Sequence, residues 1–193
     1  MSQTRTPAGG RYQRSTGGLV GAMIVTVLAV AAFAGLNALK TDHPDTAVRT
    51  VDYQAMVRAG RADHKLMVMA PATLPQGWKA TSATYQTGSS PAWHLGLLTD
   101  QGKYVGVEES LGGVRDLVEE HVDPDAQQGE DVEIDGITYQ TWTDAGGDYA
   151  LSHEVEVEGG SAYESWLVVG TAPEATIRDF AARLKGGKLR LAG

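Results

Sequence analysis

Residues 91–110 read PAWHLGLLTDQGKYVGVEES, and their two-residue rhythm decides the fold class. Trp93, Leu95 and Leu97 share one side of an extended chain, Val105 and Val107 share one side of the next, and TDQG (99–102) between them has a hairpin composition. Two half-buried strands joined by so short a loop must run antiparallel. Upstream, Lys79 to Thr87 is a further strand, preceded by the turn Leu74-Pro75-Gln76-Gly77-Trp78, in which proline presets φ and glycine is free to take φ > 0. Downstream, Ser110 is placed to cap a helix whose Val114, Leu117, Val118 and Val122 fall at i, i+3, i+4 and i+8, a stripe wide enough to cover a sheet face.

The same order returns further along. Val132 to Ile134 and Ile137 to Thr143 flank Asp135-Gly136, a strong hairpin signal, and Tyr149 to Val157 and Ala162 to Val169 follow as strands. A closing helix begins at Thr171 and Glu174, which have capping-box spacing with Pro173 in the first turn, buries Ile177, Phe180, Ala181 and Leu184, and stops at Gly186-Gly187. The acidic, turn-rich Asp123 to Asp131 connects the two parts. The expected fold is therefore α+β: an antiparallel sheet with two helices packed on one face, arranged as two strand-strand-strand-helix halves.

Residues 17–39, GGLVGAMIVTVLAVAAFAGLNAL, carry no charge, and all 24 acidic residues lie after them. A hydrocarbon core is crossed by roughly 20 apolar residues, so this run reads as a transmembrane helix. Arg5, Arg11 and Arg14 precede it without any acid, which keeps the N-terminus cytoplasmic and exports the rest. The organisation expected is a cytoplasmic tail (1–16), the membrane helix (17–39), a stalk with a short helix from Asp52 to Ala62 (40–65), and an extracytoplasmic α+β domain (66–193). A cleaved signal peptide is the alternative, with Ala29-Val30-Ala31 and Ala32-Phe33-Ala34 as processing sites, and it exports the same domain. The chain has no cysteine, which excludes disulfides, cysteine lipidation and thiolate metal sites. Beyond residue 40 stand only 12 of the 16 basic residues, a net charge of −12, and such a balance argues against nucleic acid and anionic headgroups as partners.

Motifs for chemistry are sparse. His43 and His64 sit in the stalk, His94 and His153 lie in mid-strand, and His121 ends a helix where a cation complements the macrodipole. No two histidines have zinc-ligand spacing, and Glu119 to Asp125 departs from the EF-hand pattern. Neither a GxSxG elbow nor a phosphate loop is present. Glu108 and Glu109 are adjacent in a strand and point to opposite faces, so they cannot flank one bond; Glu109 shares the apolar face with Val105 and Val107 near the strand end and there needs a partner or solvent. Trp78, Trp93, Trp142 and Trp166 read as core residues before they read as a ligand groove.

Taken together, Val51-Asp52-Tyr53, Ala70-Pro71, Leu74 to Trp78, Pro91 to Gly96 continuing to Tyr104 to Ser110, and Gly170 to Glu174 carry a resemblance. The chain resembles, over nearly its full length, the actinobacterial membrane proteins catalogued as domain of unknown function 4245. That family has no assigned activity, so the resemblance implies an envelope location and transfers no catalytic residue, cofactor or metal. Trp166 to Leu184 is more loosely similar to sheet-plus-helix domains of exported bacterial lipoproteins and anti-sigma factors.

The function expected is that of a single-pass membrane protein whose extracytoplasmic domain is a non-catalytic binding, sensing or scaffolding module of the cell envelope. It would contact the membrane through Gly17 to Leu39 and an envelope protein partner through the domain, with no cofactor, no metal and no nucleic acid. The alternatives are an envelope hydrolase using Glu109 and a histidine, and a carrier with an apolar cavity between sheet and helices.

Overall fold

The computed structural model describes residues 49–157 and 162–187, and the apolar run 17–39 with its expected membrane helix lies outside them. No described helix is long and apolar enough to cross a membrane. The elements in order are α1 (Tyr53–Asp63), β1 (Ala70–Pro71), β2 (Lys79–Gln86), β3 (Ala92–Leu98), β4 (Tyr104–Leu111), α2 (Val114–His121), β5 (Gln127–Gln128), β6 (Val132–Ile134), β7 (Ile137–Thr143), β8 (Tyr149–Glu156), β9 (Tyr163–Gly170), α3 (Glu174–Ala181) and β10 (Leu184–Lys185). The main sheet is antiparallel with strand order β2-β3-β4-β9-β8-β7-β5, and β6 also pairs with β7.

Two elements differ from the sequence reading in a way that matters for function. The helix expected from Asp52 to Ala62 forms at Tyr53–Asp63, capped by the Asp52 carboxylate on the Ala55 N–H, but it is no stalk. Its Tyr53 and Val57 are buried with Leu66, Trp93, Leu95, Val107 and Phe180, so the compact fold begins well before residue 66. The second difference concerns the two helices expected on one face. α3 packs through Ile177, Phe180 and Ala181 against the face carrying Trp93, Val107, Trp166 and Val168, alongside α1. α2 packs through Val114, Leu117 and Val118 against the other face, onto Trp142, Ala150, Leu167 and Val169.

The reason lies in the central strand β9. Alternate residues of a strand face opposite ways, and in Trp166-Leu167-Val168-Val169 every residue is apolar and buried, the pattern of a strand covered on both sides. The mirrored order β2-β3-β4 then β9-β8-β7 follows the expected halves, yet a two-fold axis relating antiparallel β4 and β9 would bring both helices to one face. Their opposite placement means the halves are not related by that rotation.

Capping also departs from expectation. α2 starts after Gly113 and α3 after Pro173, neither with a side-chain cap; Thr171 accepts instead from the Tyr104 N–H, tying α3's approach to β4. The expected end of that helix at Gly186-Gly187 moves back to Ala181, because Leu184–Lys185 turns outward to pair with Ala70–Pro71 as a separate two-stranded ribbon. The Asp135-Gly136 hairpin forms as read, with both residues at positive φ (51° and 79°), the type I′ turn that dipeptide favours.

Candidate functional site

Two clusters of polar side chains stand on opposite faces of the sheet. The first is a pair of buried carboxyls. Glu109 on β4 is 1 % exposed and Glu164 on β9 is fully buried, both on the face covered by α1 and α3. Glu109 accepts from the backbone N–H groups of Val68 (2.7 Å) and Met69 (2.6 Å), and Glu164 from that of Met67 (2.5 Å). Three successive N–H groups converging on two carboxyl side chains form a backbone nest, and Val68 supplies its geometry by taking φ 53°, a left-handed conformation that a β-branched residue adopts only under constraint. Trp93 secures the same strap by donating from its indole to the Met69 carbonyl, and Arg61 by donating to the Val68 carbonyl. Burial, the hydrogen bond to Glu164 and the Glu164 charge together drive the Glu109 pKa well above the ordinary carboxyl value, against the pull of the two backbone donors. Glu164 Oε2 is buried without a hydrogen-bond partner, and a proton on the neighbouring Glu109 carboxyl would supply its donor.

The second cluster lies on the α2 face and spans three neighbouring strands. Ser82 on β2 is 2.7 Å from His94 Nε2 on β3, and His94 Nδ1 is 2.7 Å from Glu108 Oε1 on β4. The carboxylate can only accept, so Nδ1 carries the proton, and in the neutral ring Nε2 accepts from the Ser82 hydroxyl. The line continues to α2, where His121 Nε2 is 4.0 Å from Glu108 Oε2 and 3.9 Å from Glu120. The Glu108 hydrogen bond and charge raise the His94 pKa against the opposing effect of burial.

Glycine makes room for this arrangement. Gly96 and Gly106 are direct cross-strand partners, and a Cβ on Gly96 would lie 2.4 Å from Ser82 Oγ and 3.3 Å from His94 Nε2, while one on Gly106 would lie 2.6 Å from the Tyr104 hydroxyl. The pair is a bare floor over which these polar groups gather. Next to it a cleft of about 280 Å³ opens between β2, β3, β4 and α2, lined by Thr84, Gln86, His94, Glu108, Glu120 and His121 among others.

Glu108 and Glu109 do point to opposite faces, but their partners are redistributed. Neither of the mid-strand histidines is paired with Glu109: His94 lies across the sheet, and His153, on Glu109's own face, donates from Nδ1 to the Thr138 carbonyl (2.7 Å) and lies 4.6 Å from the Trp166 ring. His94 and His153 are therefore not placed to act with Glu109 as an acid–base pair. Of the adjacent pair Glu108 and Glu109, the acid that meets a histidine is Glu108. Ser82 and Glu164 carry no motif in the sequence; the signal for Ser82 is the glycine pair, Gly96 and Gly106, in the middle of two strands. His43 lies outside the described residues, and His64 ends α1 in a left-handed conformation. Trp93, Trp142 and Trp166 are buried core residues, and Trp78 stacks on Phe180 at 5.2 Å. Among the described residues no group of three or more His, Asp or Glu is set to hold a metal ion.

The profile of the family described as "Protein of unknown function (DUF4245)" matches residues 11–184, from before the apolar run to β10. The chain belongs to that family. No curated protein matches it. Among solved structures it is similar to a chain of the Pseudomonas aeruginosa MucA/MucB complex, at 15 % identity and a TM-score of 0.36, over 62 % of this chain and 35 % of that one. A structure of MucB in complex with MucA(peri) matches at the same identity and TM-score, with 36 % of its chain covered. The chain thus spans about a third of the length of these structural relatives.

Proposed function

We propose that this protein is a single-pass membrane protein of the cell envelope whose extracytoplasmic domain is a binding module, with its contact surface at the cleft between α2 and the sheet. The convergence of His94, Glu108, Glu120 and His121 on an open cleft carries this reading: a concave site with a few convergent polar groups is where a folded domain holds a ligand. The apolar run 17–39 with its basic flank supports the tether and the export of the domain. The space between the sheet and α1 and α3 is filled by Trp93, Tyr139, Trp166 and Phe180, which weighs against an apolar carrier.

Photocrosslinking residues placed at Thr84 and Glu120 in the full-length protein, within envelope membranes, test the surface. The cleft positions are expected to yield a discrete adduct, and Arg58 on α1 is expected to yield none. Adducts at Arg58 alone, or at all three positions equally, refute the cleft as the contact. Carbonate extraction tests the tether: the full chain is expected to remain with membranes and a chain starting at residue 41 to be released.

A further inference from the structure

Independently of the binding reading, we propose that Ser82 is an activated nucleophile, with His94 as its general base and Glu108 as the residue that positions that base, able to accept an acyl group from an uncharged or cationic ester. Both contacts that such a role demands are in place. Ser82 Oγ lies 2.7 Å from His94 Nε2, to which it donates when the ring is neutral, and the opposite ring nitrogen is fixed by a carboxylate at the same distance whose side chain is only 8 % exposed. Activation of a hydroxyl at neutral pH requires this order of roles: a base in reach of the hydroxyl, held in one tautomer by an acceptor behind it.

The surroundings suit an incoming carbonyl. The floor under Ser82 Oγ and His94 Nε2 is the side-chain-free Gly96 and Gly106 pair. Over Gly106 lies the Tyr104 hydroxyl, whose pKa is raised by burial and by the charges of Glu108 and Asp148, so it stays protonated as a donor to a developing oxyanion. The preference for an uncharged or cationic ester follows from Glu108 and Glu120 lining the adjoining cleft, since an anionic ester would meet like charge there. In the step, Ser82 Oγ forms a bond to the acyl carbon as its proton passes to His94 Nε2. The bond from that carbon to the alcohol oxygen then breaks, and the alcohol departs with the proton from His94, leaving an ester on Ser82.

A fluorophosphonate probe reads this directly, because it phosphonylates an activated serine and releases fluoride. Full-length protein in detergent is expected to be labelled, with the adduct mapped to the peptide containing Ser82. Ser82→Ala should abolish labelling, and His94→Gln should slow it roughly 10²-fold, the usual contribution of a general base. Gly96→Ala, whose new methyl evicts the serine hydroxyl, should abolish it in a protein whose near-ultraviolet circular dichroism is unchanged. The wild-type labelling rate should rise with pH as His94 loses its proton. Glu108→Gln should move that midpoint down, because the carboxylate holds the His94 pKa up; the other groups facing the ring are Ser82 and Thr84 from β2, Tyr104 from β4, and Glu120 and His121 from α2. Absence of a Ser82 adduct in folded wild-type protein, or an unchanged rate in His94→Gln, overturns the proposal. An unmoved midpoint in Glu108→Gln removes Glu108 from it.

Discussion

Glu109→Gln separates the buried acid pair from every other titrating group. In the folded protein Glu109 holds its proton far more tightly than it does in the unfolded chain, where the ordinary carboxyl value is 4.5. The stability this confers is fully present below that value and is lost as pH rises toward the folded-state pKa. The slope reaches at most about 1.4 kcal/mol per pH unit, so the whole interval from about 4.5 to 6.5 accounts for no more than about 2.7 kcal/mol. Above that interval His94, whose pKa is also raised, adds a loss of the same sign, and measurements should stay below it. Glutamine has one acceptor oxygen for the two N–H groups of Val68 and Met69, so at pH 5 the variant should be less stable by about 1–3 kcal/mol, the cost of one orphaned buried donor. That deficit should shrink as pH rises, since only the wild type loses a stabilising proton. Urea unfolding of both proteins at pH 5.0, 5.5, 6.0 and 6.5 reads the difference. Parallel stability curves, or a deficit that widens with pH, would refute a raised Glu109 pKa in the folded protein.

Other substitutions probe the fold around the site. Gly170→Ala should destabilise by about 1–3 kcal/mol in the same assay, because its Cβ would sit 2.2 Å from the Tyr104 carbonyl, a backbone atom that cannot swing aside. Leu167→Ala removes a fully buried side chain from the α2 face and should cost about 2–5 kcal/mol; a value below 1 kcal/mol would mean that α2 does not seal that face. Trp142→Phe deletes the indole donor to Ser152 Oγ (2.8 Å) and should cost about 1 kcal/mol in thermal or urea unfolding.

How far the chain is legible depends on the range of the interaction. Hairpins came through because their turns are local: Asp135-Gly136 and the 99–102 loop carry their own conformational instructions. Which face each helix covers is not local, and only the four-residue apolar run in β9 hinted that both faces needed a cover. The capping readings failed where tertiary bonds outcompeted local ones, as with the Thr171 hydroxyl, which serves Tyr104 of β4 rather than its own helix. Opposite faces for Glu108 and Glu109 follow from strand period alone, and the need of Glu109 for a partner followed from its apolar neighbours. That its partners would be two backbone amides 40 and 41 residues earlier, one of them on a valine in a left-handed conformation, has no signature in composition or spacing. Ser82 escaped because a nucleophile was sought in turn motifs, whereas here it stands in an edge strand.

The strap that feeds the two carboxyls also sets the order in which the molecule can be made. Met67 bonds a side chain 97 residues later, Arg61 bonds the Lys185 carbonyl 124 residues later, and β1 has no partner until β10 arrives. Closure of such distant loops is slow, so folding should wait on the last strand even after the hairpins have formed. Until then Glu109 stays hydrated and titrates near its ordinary range, and the apolar face of the sheet stays open. On an emerging chain the domain is therefore incomplete until nearly all of it is available. A truncation that removes only β10 should act on the yield of folded protein before it acts on any surface the finished domain presents.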